Sequence, residues 1–324
     1  MSNKKVTVFG GGTGSYITLS GLKSYSVDLA SIVTMMDSGG STGRLRDQLG
    51  VLPPGDFRQC LVAMSEAPVL WRKLFLYRFN KGDFKGHNFG NILLSALEKV
   101  TSNYQGVVKA ANYILKIKGQ VIPVTFDKVH LYAQYQSDRI IKSEAKIEKN
   151  RSTSDRINYV YLKPKARANP LAIQRIKQSE YLIFGPGDLF TSIIPILLVN
   201  GIKEAIIHSE AKLVYIMNLM TKLGQTTSYT AMDHITTLEK YLSRKIDIVL
   251  INNGKISEDV IKWYLANKEI LVINDTYLSK DKKIICANLI DRTKYIKQAS
   301  DKLNRSLVRH NQKKLGKLLS EIII

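Results

Sequence analysis

Short, continuously apolar runs recur along the chain, and most are followed by stretches whose apolar residues fall three or four positions apart. The first pattern fits a strand buried on both faces, the second an amphipathic helix. Residues 6–9 and 29–36 are the first two strands of this reading, with a helix over 13–25 between them. Helical spacing dominates 55–66, 67–79, 88–100 and 105–119, before a third strand at 121–125. The texture changes over 130–149, where side chains alternate around Ser137-Asp138 as in a hairpin. From Ile157 the series resumes, with strands at 157–164, 181–187, 213–218, 247–253 and 269–275. Helices at 171–179, 229–244 and 256–268 separate them. No linker rich in Pro, Gly or Ser and no internal repeat interrupts it. The pattern predicts an α/β fold with a Rossmann-like, mostly parallel sheet and helices on both faces. It also predicts one domain over residues 1–324, with a β-hairpin insertion at about 126–150.

Charge changes this picture in one respect. Lys and Arg number 48 against 27 Asp and Glu, a formal +21 that raises affinity for anions in general. The basic residues are spread along the chain apart from a helical tail over 294–319, and no zinc-finger, RRM or basic-zipper pattern accompanies them. A phosphorylated small molecule is therefore expected, and no specific nucleic acid. No apolar run approaches the roughly 18 residues that span a bilayer, so no membrane partner is expected. The N-terminus runs straight into a strand and turn, unlike a secretory signal. Cys60 and Cys286 lack metal-ligand spacing and are too few for a disulfide framework. A cytoplasmic setting fits best.

Candidate chemistry sits in glycine turns at strand ends. Gly10-Gly11-Gly12-Thr13-Gly14 joins the first strand to the first helix. Main-chain N–H groups and the helix dipole hold phosphate at such a place, and glycine lets the anion approach. The dinucleotide pattern G-x-G-x-x-G fails because Ser15 stands at its third glycine, and no Gly-Lys-Ser/Thr follows for a Walker A loop. The turn predicts an anion without naming it.

After the second strand, Asp37 precedes Gly39, Gly40, Ser41, Thr42 and Gly43, which a parallel sheet would set beside the first turn. Asp37 could take a ribose hydroxyl or hold Mg²⁺, and Arg44 and Arg46 could add charge. Asp56 in "PPGDFR" reads as a helix cap. "GHNFGN" puts His87, Asn88 and Asn91 at a helix start, where an anion or a carbonyl could be held. "FGPGDLFTS" repeats the strand-to-helix turn with Gly185, Pro186, Gly187, Asp188 and Thr191. Three such turns at strand ends predict one shared nucleotide cleft.

In their order, "GGGTG", "DSGGSTGRLR", "LPPGDFRQCLVA", "FNKGDFKGHNFGN", "GPGDLFTSIIPILLVNGI", "NLMTKLGQTTSYTAMDH" and "VRHN" resemble the CofD/YvcK family, also called UPF0052 or gluconeogenesis factor family. The resemblance spans nearly the whole chain. It implies one of two functions. One is a UDP-sugar-binding regulatory protein of the YvcK branch, taking a UDP-N-acetylglucosamine-like ligand and linked to gluconeogenic growth and cell shape. The other is a Mg²⁺-dependent phospholactyl transferase using a GDP-activated donor. "GGSTGRLRDQLGVLPPGD", "MTKLGQTTSYTAMDH" and "VRHN" look like the first branch.

By this resemblance Gly10 to Gly14 form the nucleotide turn, with Asp37 and Gly39 to Ser41 as its neighbour. His87 and Asn91 line the cleft, Gly185 to Gly187 form a second turn, and Asn218 ends a strand facing it. Tyr264 and Arg309 contact the UDP-sugar, the Tyr by stacking on uracil or donating to the sugar, the Arg by gripping the diphosphate. A homodimer is also implied. Three stretches depart from the family pattern: Ser38 replaces a second acid, "GHNFGN" replaces GHSLGN, and "GPGDLFTS" replaces GPGSLYTS. Asp188 at a phosphate-facing turn would repel an anion unless it points away or holds a cation.

Overall fold

In the computed structural model, which describes residues 3–101, 103–152, 155–278, 281–291 and 306–324, the first three core strands lie side by side. β1 (Lys4–Gly10), β2 (Val27–Val33) and β3 (Gln120–Pro123) pair parallel, each with the one before. The chain then builds a separate three-stranded sheet from β4 (His130–Tyr135), β5 (Ile140–Lys142) and β6 (Ile157–Lys163). It returns through β7 (Tyr181–Phe184), β8 (Lys212–Ile216), β9 (Ile248–Asn252) and β10 (Lys283–Ala287), laid outward in parallel from the other side of β1. The resulting order is β10-β9-β8-β7-β1-β2-β3. The chain thus reverses direction across β1, and such a switch point leaves a crevice at the carboxyl ends of the strands.

Along β1, Val6, Thr7, Val8 and Phe9 are all 0% exposed. Successive side chains point to opposite faces, so both faces of the sheet are covered. Phe9 stacks on Phe184 of β7 with ring centroids 4.8 Å apart. The buried Thr7 hydroxyl is satisfied by Ser179 and by Arg175, whose guanidinium also pairs with Asp28 at 3.0 Å.

Among the described residues six α-helices precede β4: α1 (Gly12–Leu22), α2 (Gly40–Leu49), α3 (Pro54–Met64), α4 (Val69–Leu76), α5 (Phe89–Val100) and α6 (Tyr104–Leu115). The short α7 (Glu144–Lys149) belongs to the small sheet. α8 (Pro170–Gln178), α9 (Ile194–Leu197), α10 (Ile202–Ile207), α11 (Ala231–Leu242) and α12 (Glu258–Ala266) connect the later strands. α13 (Gln312–Ile323) packs on α1, where Gly316 meets Gly21 so closely that a Cβ at 316 would lie 2.4 Å from the Gly21 carbonyl oxygen.

β4 and β5 make the expected hairpin, with Asp138 at φ 62° in its turn. Two expectations change. Residues 157–163 form a strand, but it pairs antiparallel with β4 and never enters the parallel series. Residues 269–275 are not a core strand, because other loops take their main-chain bonds. Thr221 N donates to Ile270 O at 2.7 Å, Val272 N to Leu219 O at 3.2 Å, and Ala231 N to Ile273 O at 2.8 Å. β10 holds the sheet edge instead. Of the expected helical tail, 294–305 lies outside the described residues, 306–311 is not helical, and α13 covers the remainder. No helix among the described residues is long and apolar enough to cross a membrane.

Candidate functional site

A cavity of about 230 Å³ opens at the carboxyl ends of β1, β2, β7 and β8. Gly11, Gly12, Thr13 and Gly14 line one side of it, Pro186, Gly187 and Asp188 another. Gly12 has φ 61°, a left-handed conformation that glycine adopts without strain. The two turns touch: a Cβ on Gly14 would stand 1.8 Å from the Pro186 carbonyl oxygen. The N-terminus of α1 therefore opens into the cavity, the end of a helix that favours an anion.

Asp37 also lines the cavity, and its Oδ1 accepts the Gly39 N–H at 2.9 Å. Asp56 does not cap α3, whose N-cap is Pro53. Its carboxylate instead rests on the first turn, where a Cβ on Gly11 would lie 2.0 Å from Oδ2.

The doubt over Asp188 is settled by a cation. Lys222, from the loop after β8, sits 3.7 Å from its carboxylate. Asp188 above all holds the ammonium charged, against burial and with help from Glu148 and Glu269. Asn218 pins the same turn, its Nδ2 donating to Gly187 O at 2.8 Å while its Oδ1 accepts from the Tyr215 hydroxyl.

Tyr264 reaches the cavity from α12, but its ring is only 2% exposed and offers no face for a base to stack on. Its hydroxyl accepts the main-chain N–H of Leu307 at 2.9 Å and of Val308 at 3.4 Å. Tyr264 thus fixes the segment that presents Arg309 and His310 to the cavity. That segment is further held by Asp291 N donating to Arg309 O and Asn311 N donating to Leu289 O.

Gly10, Gly39, Gly40, Ser41, His87, Asn91, Gly185 and Thr191 are not in the lining. Ser41, His87 and Asn91 are instead joined in a buried network that ties α2 to the start of α5. Ser41 Oγ lies 3.2 Å from His87 Nδ1 and accepts the Asn88 N–H. Asn91 bonds Thr42 and accepts from Arg58 Nε at 2.7 Å. Burial and nearby Arg44 and Arg78 lower the His87 pKa, which keeps it a neutral packing partner. Arg44 and Arg46 turn away, toward Lys85 O and toward Val129 O and His130.

Part of the lining stood in no motif. Glu144 and Glu148, on α7, reach the cavity from the hairpin insertion. Ser38 N and Oγ both donate to Glu144 Oε2, at 3.1 and 3.3 Å. The serine that replaces an acid in the motif therefore brings another acid to the same place. No spacing signal predicts a contact across 106 residues. Burial pushes both carboxyls up, Glu144 well above the carboxylate range and Glu148 to about 7, with Asp188 adding repulsion at Glu148.

A raised acid keeps its proton in the native state after the unfolded chain has lost it, so stability falls as pH climbs from about 4.5 to about 7. Glu148→Gln should therefore stabilise the protein at pH 8, by about 2 kcal/mol, and change little at pH 5. Urea unfolding at both pH values checks this, and equal differences at the two would contradict it.

Among the described residues, no three His, Cys, Asp or Glu side chains are disposed as metal ligands. Asp37 offers a single carboxylate, one oxygen of which accepts the Gly39 N–H.

The family model described as 2-phospho-L-lactate transferase CofD matches residues 6–290. The gluconeogenesis factor of Bacillus subtilis is 40% identical over 80% of this chain and 82% of its own. That of Halalkalibacterium halodurans is 38% identical over 86% and 87%. A crystal structure of a UPF0052 family member from Bacillus halodurans superposes with a TM-score of 0.88 at 34% identity, covering 99% of each chain. With these matches running through almost every element of the fold, the chain belongs to the CofD (UPF0052) family and is a homologue of its gluconeogenesis factors.

Proposed function

We propose that the protein binds a nucleotide sugar, UDP-N-acetylglucosamine or a close relative, and acts in the cytoplasm as a gluconeogenesis factor. Its bound state would report the supply of wall precursors to carbon metabolism and cell shape. The observation that carries this reading is the meeting of two glycine turns, Asn218 and Arg309 in one cavity at the sheet's switch point. The N-terminus of α1 supports the diphosphate through main-chain N–H groups, and Arg309 adds a planar, bidentate donor. Tyr264 acts through the segment it anchors.

Calorimetric titration of the full chain with UDP-N-acetylglucosamine tests the reading, with UDP and GDP as comparisons. Saturable heat with the sugar nucleotide is expected; no heat at millimolar ligand would sink the proposal, and preference for GDP would move it to the transferase branch. Arg309→Ala should weaken binding by about 10- to 100-fold, as loss of a charge-assisted contact does. Tyr264→Phe, which removes the acceptor for Leu307 and Val308, should weaken it less. A Tyr264 effect larger than the Arg309 effect would assign the tyrosine a direct contact.

A further inference from the structure

The ligand just proposed carries a diphosphate, yet carboxylates outnumber cations around it. Asp37, Asp56, Glu144, Glu148, Asp188 and Glu269 line the cavity, against Lys222 and Arg309 among the described residues. Asp188 pairs with Lys222 at 3.7 Å, and Glu269 with Arg151 at 3.2 Å. Asp37 is bonded to the main chain. Glu144 and Glu148 are different, because they bond each other. Two carboxyl groups can share a hydrogen bond only if one carries a proton. Ser38 occupies only Oε2 of Glu144, so the other oxygen of that acid carries the proton and donates to Glu148, and the bond favours the Glu148 carboxylate.

A second feature of the cavity asks for a ligand. His310 is 4% exposed and its imidazole bonds the Met217 carbonyl, a contact that requires a proton on that nitrogen. Its Nε2 has no partner. Burial holds the ring neutral, with a pKa of about 4, so Nε2 is an acceptor in wait of a donor. A sugar hydroxyl or an amide N–H supplies one, and a bare phosphate does not.

Resting on the nucleotide-sugar reading, we propose that the Glu144–Glu148 pair is part of the binding site and takes up a proton as the diphosphate enters. The proton comes from solvent and adds to the carboxylate of Glu148, with no other bond made or broken. The neutral acid then donates to an anionic oxygen, where its carboxylate would repel it. Of the groups facing Glu148, Asp188 beyond β7 and Asp37 beyond β2 favour its proton, as an arriving anion does, while Lys222 and the hydrogen bond from Glu144 on its own helix favour the carboxylate. With Glu148 titrating near 7 in the free protein, the linkage operates at neutral pH.

The test is titration of the full chain with UDP-N-acetylglucosamine in EDTA, in buffers of differing ionisation enthalpy, from pH 6 to 8.5. The diphosphate of this ligand does not ionise in that range, so any proton belongs to the protein. About one proton taken up per ligand is expected at pH 8, with affinity falling toward tenfold per pH unit above 7. Glu148→Gln should bind without proton uptake and with an affinity that is flat across the range. No uptake by the parent protein, or the same uptake by Glu148→Gln, overturns the proposal. Absence of binding at every pH overturns the nucleotide-sugar reading, and this proposal with it.

Discussion

Gly14→Ala should abolish nucleotide binding and lower stability by about 3 kcal/mol, the upper range for forcing volume into a packed site. The added methyl would stand 1.8 Å from the Pro186 carbonyl oxygen, a distance no non-bonded pair of atoms tolerates. The obstacle is main chain, so no rotamer change relieves it. Either α1 withdraws from the 186–187 turn, or that turn moves and loses the bond from Asn218 to Gly187 O. Both outcomes separate the two N–H-bearing walls of the cavity. Urea unfolding and the same calorimetric titration read the two effects. Gly50→Ala is a useful contrast, since a Cβ there meets nothing within 4 Å, although its φ of 62° adds some strain of its own. Parental binding by the Gly14 variant would show that the close contact does not define the site.

Gly316→Val carries a comparable penalty at a distance from the cavity. A Cβ at 316 would lie 2.4 Å from Gly21 O and 2.8 Å from its Cα, so α13 must lift off α1. Around 3 kcal/mol of stability should go with it, since Leu315, Leu319 and Ile323 on the same helix are all buried. Binding should weaken as well, because α13 begins three residues after Arg309 and holds that segment in place. Lys313→Ala, on the exposed side of the helix, should change stability by less than about 0.5 kcal/mol. If Gly316→Val unfolds at the parental urea midpoint, the Gly–Gly crossing has no energetic weight.

Most of the fold is legible in the sequence because continuously apolar strands can only be buried ones. The errors share a cause. Residues 157–163 have the apolar content of a core strand, but their exposure alternates, and partner choice is not written into a single strand. Residues 269–275 look equally strand-like, yet their bonds are claimed by loops brought near through tertiary packing. At the site, glycine turns betray themselves because close approach leaves no room for a side chain, as at Gly14 and Gly11. Polar residues carry no such mark. The "GHNFGN" stretch reads like a ligand loop while it builds a buried network between helices. Glu144 and Glu148 read like part of an alternating hairpin, whereas residues 144–149 form α7 and the two acids wall the cavity.

The contact between the first and last helices has a consequence for the order in which the molecule assembles. Gln312 donates to Ser20 O across 292 residues of sequence, and Arg309 arrives at a turn formed by residues 11–14. Contacts of such separation close late, because the entropy of the intervening loop opposes them until the rest is in place. A chain emerging from the ribosome would have its glycine turns long before it had a finished pocket. The pocket is therefore among the last parts of the fold to close, because it waits for the segment around Arg309 to dock.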